Sequence, residues 1–282
     1  MPVQYAFAIA FLGINLAIGF AVSWASEKEQ SGVRLDLDAF VSLDTDLEIA
    51  FCALDINTDS RSIVNEHLVG RRFAPWSTFK IPNLIIALEA GIATGLNHWR
   101  GWDQRRRPAA DYWPQVWQQD QTLASAFKRS AVWYFQDIAQ EVGAEQYRYH
   151  LRRFGYGNAS VPVDSDDFWL GESLTISPCE QTQFLKQAVA GHLNLSAETE
   201  DALRTVSRLR AADGYTVYGK TGSGRLARDE FEGWLVGWIE HEHRPTATFA
   251  LYLQAPDYQA LEFSRVETAL ALLRTAGHWP HD

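Results

Sequence analysis

The sequence predicts an α+β fold: a central antiparallel β-sheet flanked by helices, with an all-helical lobe inserted at roughly residues 85–205. Three observations carry this. A β-type apolar run lies at residues 47–55, a second strand-rich group spans 216–253, and helical patterns fill the stretch between them. When both ends of a chain supply strands to one sheet, the intervening helices form a second lobe.

The elements follow in order. Residues 5–22 carry no charged side chain and end at Ser23-Trp24-Ala25, small residues at Ser23 and Ala25 suiting a signal-peptidase cut. Residues 1–25 are therefore expected to be a signal peptide cleaved after Ala25, or an uncleaved anchor, since the run is about long enough to span a bilayer. Either reading places the remaining domain, 26–282, outside the cytoplasm, in the periplasm of a Gram-negative-type bacterium. The strand at 47–55 ends at the turn Asn57-Thr58-Asp59-Ser60. A helix opens at Ser77-Thr78-Phe79-Lys80, after which Ile81, Leu84, Ile85 and Leu88 make a core-facing stripe. Further helices are expected over 122–143 and 177–190, strands over 216–221, 231–239 and 246–253, and a last helix over 265–276.

At 282 residues and 46% hydrophobic, the chain has enough apolar side chain for a full core, and its 11 tryptophans make aromatic packing prominent. A net charge of −10 without any Lys/Arg-rich run argues against nucleic acid as a partner. The short basic cluster Arg105-Arg106-Arg107, beside Pro108, reads as a solvated loop. Cys52 and Cys179 either pair, as export would permit, or remain buried thiols. Neither has a Cys or His at ligand spacing, which argues against a metal site.

The tetrad at residues 77–80 carries the chemistry. Residues three apart share a helix face, so the Ser77 hydroxyl lies beside the Lys80 amine. A serine becomes nucleophilic when a base takes its proton, and a lysine in an apolar wall loses enough basicity to be that base. Such a tetrad also occurs as a plain helix cap with a solvated lysine, so its meaning depends on company. Ser130-Ala131-Val132 adds a second hydroxyl able to relay a proton to a leaving nitrogen. Lys220-Thr221-Gly222-Ser223-Gly224, at the end of a predicted strand, adds a lysine and hydroxyls suited to an anionic group. Asp166-Asp167-Phe168-Trp169-Leu170 adds charge and a bulky apolar wedge in a loop.

In order, Ser-x-x-Lys, Ser-x-Val, Tyr156-Gly157-Asn158, Phe168-Trp169-Leu170 and Lys-Thr-Gly resemble the class D serine β-lactamases, the oxacillinases. The resemblance runs from about Phe51 to the C-terminus. It includes Trp117 on the approach to the second motif, and Arg265, which matches the family's carboxylate-binding arginine at the head of the last helix. It implies a serine β-lactamase/penicillin-binding-protein-like fold and hydrolysis of the β-lactam amide through a serine acyl-enzyme. It implies β-lactam resistance, small-molecule β-lactam substrates, and a monomer or homodimer touching membrane only through an uncleaved N-terminal segment.

The resemblance also implies residue roles. No dissociable cofactor is expected, but carbon dioxide or bicarbonate would carboxylate Lys80, with Val132, Trp169 and Leu170 as the surrounding wall and the Trp169 indole as hydrogen-bond donor. Lys80 would serve as general base for Ser77. Ser130, held by Lys220, would protonate the departing nitrogen. Backbone N–H groups of Ser77 and Ser223 would form the oxyanion hole, and Thr221 and Arg265 would bind the substrate carboxylate. Val132 and Leu170 resemble the pair that admits the hydrolytic water, and Trp117 would lie in the substrate cleft. Many members place an aromatic residue directly after Lys-Thr-Gly, where this chain has Ser223-Gly224, so that side of the cleft is expected to be wider. The alternatives are a penicillin-binding protein, or a β-lactam sensor domain that is acylated without efficient turnover.

Overall fold

The sheet is built from strands at the two ends of the chain. The computed structural model describes residues 32–35, 48–226 and 230–281. The segment expected to be a signal peptide or anchor, 1–25, lies outside them. Among the described residues no helix is long and apolar enough to cross a membrane.

Among the described residues, nine strands and eight α-helices follow one another. β1 (Gly32–Arg34), β2 (Glu48–Asp55) and β3 (Arg61–Val64) precede α1 (Glu66–Val69) and α2 (Lys80–Glu89). The short pair β4 (Trp99–Arg100) and β5 (Gln121–Thr122) leads to α3 (Leu123–Arg129), α4 (Val132–Val142), α5 (Ala144–Phe154), α6 (Pro178–Val189) and α7 (Ala197–Ser207). β6 (Arg208–Ala212), β7 (Tyr215–Arg225), β8 (Phe231–His241), β9 (Arg244–Ala255) and α8 (Tyr258–Thr275) complete the chain. The main sheet has the order β1-β3-β2-β9-β8-β7-β6. Its pairs are antiparallel except β1 with β3, so the expected antiparallel sheet carries one parallel edge strand. β1 has one apolar residue in three, too little alternation to mark it as a strand.

The period-two pleat of β2 sorts its side chains between two cores. Ile49, Phe51 and Ala53 pack with Leu261, Leu270 and Leu273 of α8, while Ala50 and Cys52 face the helical side with Phe79, Ile81 and Leu84. Trp133, Trp169, Trp234 and Trp238 are fully buried, in keeping with the aromatic composition. Cys52 of β2 and Cys179 of α6 form a disulfide, Cα–Cα 5.5 Å, which settles the question of pairing. It closes a loop of 127 residues and stabilises the fold by about 5 kcal/mol in the chain-entropy account.

Three helical expectations change in detail. The pattern over 122–143 is two helices, because Ser130 adopts a left-handed φ of 60° and Ala131 is extended, turning the chain between α3 and α4. The last helix starts at Tyr258, capped by Asp257, whose Oδ1 accepts the Ala260 N–H at 2.8 Å. Arg265 therefore lies inside α8 rather than at its head. Ser77 belongs to a 3₁₀ turn, Trp76–Phe79, and α2 begins only at Lys80. Pro82 is tolerated because it falls in the first turn of α2, where its missing N–H has no partner to lose.

Candidate active site

The turn that carries Ser77 is positioned by both neighbouring layers. The Trp76 N–H donates to the Trp169 carbonyl at 3.1 Å, and the Thr78 N–H and hydroxyl both reach the Pro75 carbonyl, at 3.1 and 2.6 Å. On the sheet side, β7 passes so close that a Cβ on Gly222 would stand 3.0 Å from the Pro75 carbonyl oxygen. Glycine in the Lys-Thr-Gly motif is required there for the turn itself to approach the strand. β6 pairs with β7 only at residues 215–218, so beyond Tyr218 that edge of β7 has no strand partner among the described residues.

Two serine–lysine pairs meet in this corner. Lys80 Nζ lies 3.0 Å from Ser77 Oγ, and Lys220 Nζ donates to Ser130 Oγ at 2.6 Å. Lys80 is wholly buried, with its Nζ 5.1 Å from the Phe135 ring centroid. Burial, with Lys220 nearby, holds its pKa well below the ordinary lysine value. Lys220 also donates to the Thr221 carbonyl at 3.0 Å. Burial, with Arg265 nearby, brings its pKa down to about 7. Ser130 reaches this position because the break between α3 and α4 turns it outward from both helices.

Arg265 is buried and comes to β7 from the opposite face. Its Nη1 donates to the Gly222 carbonyl at 2.9 Å and to the Ser223 hydroxyl at 2.5 Å. Arg265, joined by Lys220 below about pH 7, thus brings positive charge to one strand end, a potential that favours an anion.

Trp169 is fully buried and stacks on Phe79, the residue before Lys80, with ring centroids 5.3 Å apart. Its indole N–H finds no partner among the described residues. A buried, unpaired donor costs about 1–3 kcal/mol, so its retention beside the lysine helix is informative. Its loop is tied at both ends. Asp166 pairs with Arg107 at 2.8 Å, and Gln140 Nε2 donates to it at 2.6 Å. Asn158 donates to the Ser173 carbonyl at 2.9 Å and accepts the Thr175 N–H at 3.1 Å. Arg107 also pairs with Asp137 at 3.0 Å, so this end of the Arg105–Arg107 cluster is a clamp on the tryptophan loop, not a solvated charge. Tyr156-Gly157-Asn158 is a staple for the same loop.

The remaining expected residues fall in different places. Val132, buried, begins α4 two residues after Ser130, and Leu170 is half-buried against the same core. Thr221 and Ser223 lie on the free part of β7. Trp117 has a scaffold position: its indole donates to the Arg129 carbonyl at 2.6 Å and its carbonyl accepts from Trp133 Nε1 at 2.7 Å, bracing the chain before Ser130. Sequence reasoning passed over Trp76 and Glu232. The signal was present in Glu232, a lone carboxylate within the apolar strand at 231–239, since a buried charge demands partners.

The family model described as the penicillin binding protein transpeptidase domain matches residues 54–272. The chain belongs to this family. Within it, the chain resembles the class D β-lactamases. It is 32% identical to the probable β-lactamase YbxI of Bacillus subtilis, over 85% of this chain and 87% of that protein. It is 32% identical to the regulatory protein BlaR1 of Bacillus licheniformis, over 82% of this chain but only 37% of that longer protein. Among solved structures, the C-terminal domain of the Bacillus licheniformis BlaR penicillin-receptor superposes with a TM-score of 0.78 at 31% identity, covering 88% of this chain and 98% of that one. A class D β-lactamase from Sebaldella termitidis gives 0.77 at 27%, covering 89% and 100%. The serine β-lactamase/penicillin-binding-protein-like fold expected from sequence is thus the fold observed.

Proposed function

We propose that the protein hydrolyses the amide bond of β-lactams through an acyl-enzyme on Ser77, as a class D β-lactamase, and so confers resistance. The observation that carries this is the convergence of Ser77–Lys80 and Ser130–Lys220, at 3.0 and 2.6 Å, beside the free edge of β7. Lys80 takes the Ser77 proton as Oγ attacks the lactam carbonyl, and the Ser77 and Ser223 N–H groups receive the developing oxyanion. As the C–N bond breaks, Ser130 passes its proton to nitrogen and is resupplied, through Lys220, with the proton that Lys80 took from Ser77, which leaves Lys80 neutral again. Thr221, Ser223 and Arg265 hold the substrate carboxylate. Water then enters past Val132 and Leu170 and gives its proton to Lys80, which returns it to Ser77 Oγ as the opened acid is released.

Lys80 and Trp169 also suit carboxylation. The low basicity of Lys80 favours the neutral amine that adds carbon dioxide, and the unpaired Trp169 N–H supplies a donor for the resulting anion. Carbon dioxide bound there as a carbamate would give Lys80 an anionic general base for both half-reactions. The Cys52–Cys179 disulfide supports export to an oxidising compartment.

Intact-mass analysis with a penicillin tests the reading. One adduct on Ser77, absent from Ser77→Ala, with continuing appearance of the opened product, is expected. The similarity to the BlaR sensor domain favours a second reading, β-lactam sensing, in which the adduct forms but persists. No adduct on Ser77 contradicts both.

The titration of Lys220 predicts a pH dependence. The side chain is cationic below about 7 and neutral above it, so attraction for a carboxylate weakens as pH rises. For an anionic penicillin, kcat/KM is expected to fall above pH 7 through a rise in KM. Lys220→Arg, which stays charged, should flatten that limb of the profile. An identical limb in that variant would show that another group titrates.

A further inference from the structure

Trp76, immediately before the nucleophile, has a backbone φ of 49°. For a bulky side chain this left-handed geometry is strained by about 1–3 kcal/mol and persists only where the surroundings impose it. The indole Nε1 donates to Glu232 Oε1 at 2.5 Å. Glu232 is itself buried, and its other oxygen accepts the Tyr252 hydroxyl at 2.6 Å, while Gln254 Nε2 donates to that hydroxyl at 2.8 Å. The indole ring lies flat over β7, where a Cβ on Gly224 would fall 1.8 Å from it. Trp76 therefore occupies the space expected to stand open beside Ser223-Gly224.

The residues locking the turn are unequal. The Trp76 N–H is held by the Trp169 carbonyl and the ring by Gly224, but these contacts leave rotation of the side chain unspecified. The bond to Glu232 fixes it. A carboxylate buried in an apolar strand is expensive to keep, and none of the acyl-transfer steps uses it.

We propose that Glu232 is a positioning residue for the nucleophile: by holding Trp76 Nε1 it fixes the left-handed turn that presents Ser77 to substrate. This rests on Ser77 being the nucleophile and deepens that reading. Glu232→Gln keeps an oxygen to accept the indole N–H and a donor for Tyr252, so it preserves the turn. Glu232→Leu and Trp76→Phe each remove the bond, the latter while keeping an aromatic ring over Gly224. Because both act through one bond, their effects do not add.

The test follows covalent labelling of Ser77 by two probes, a penicillin and a fluorophosphonate, with deacylation timed separately. The expected result is about a tenfold loss of labelling rate in Glu232→Leu and in Trp76→Phe, no further loss in the double variant, a near-normal rate in Glu232→Gln, and unchanged deacylation. Trp76→Phe carries the test alone if Glu232→Leu fails to fold. Wild-type rates in Trp76→Phe, or a Glu232→Leu effect that persists undiminished in the Trp76→Phe background, would overturn the proposal. Labelling of the wild type by fluorophosphonate but not by penicillin would sink the β-lactam reading while leaving this one intact; labelling by neither would overturn both.

Discussion

Replacing Lys80 by alanine is expected to stop turnover at the acyl-enzyme, slowing release from Ser77 by on the order of 10³-fold. Lys80 Nζ lies 3.0 Å from Ser77 Oγ, and in the proposed mechanism the same group activates the water that follows. A penicillin should still label Ser77 slowly, and single-turnover kinetics would separate the two steps. The site also carries a stability cost, which Lys80→Met relieves at similar volume by roughly 1 kcal/mol. The sign follows from proton uptake. Below the ordinary lysine value of 10.5, the unfolded chain binds a proton that the buried amine resists, so wild-type stability falls as pH falls from 10.5 toward the lowered pKa. The methionine variant should keep only the shallower slope that Lys220, lowered to about 7, contributes between 10.5 and 7. A variant that turns over normally, or one less stable than wild type at every pH, would contradict the assignment.

Trp169→Phe is expected to slow deacylation by about 10- to 100-fold, the worth of one hydrogen bond to a charged group, with a smaller loss in acylation. Phenylalanine keeps the stack on Phe79 but removes the unpaired indole N–H. Trp169→Ala should show the same asymmetry with a lower melting temperature, because it also empties core volume. If the tryptophan supports an anion on Lys80, added bicarbonate should partly restore Trp169→Phe by mass action. Equal losses in both steps, indifferent to bicarbonate, would count against that role and leave Trp169 a packing residue.

Much of this was legible because the chemistry-bearing residues sit in local motifs. Ser77 and Lys80 are three residues apart, and Lys220 to Ser223 are consecutive, so spacing alone puts each group on one turn or one strand end. The strands β2, β8 and β9 announced themselves through long apolar runs, whereas β1, β3 and β6 are short strands with little periodicity, β1 and β6 at the sheet edges. β6 is mostly exposed and carries Arg208 and Arg210, a pattern that protects an edge and hides the strand. The break at Ser130 was invisible for a different reason. Propensity runs smoothly from Leu123 to Val142, and the left-handed serine is imposed by tertiary contacts, among them Trp117 on the Arg129 carbonyl.

The partnerships of single residues distant in sequence were the least legible. Arg107 meets Asp166, and Trp76 meets Glu232, only after the sheet and lobe have closed. Small residues after Lys-Thr-Gly implied an open side to the cleft, yet Trp76 fills it from the other element. An aromatic wall can thus come from the residue before Ser77 as readily as from the strand opposite.

The most direct test of the account is steady-state hydrolysis of a chromogenic cephalosporin by the wild-type protein, before and after carbon dioxide is stripped from the buffer and bicarbonate restored. The account predicts sustained turnover that falls on stripping and returns with bicarbonate, with no such return in Lys80→Ala. A burst of one equivalent without further turnover, at every bicarbonate concentration, would contradict it.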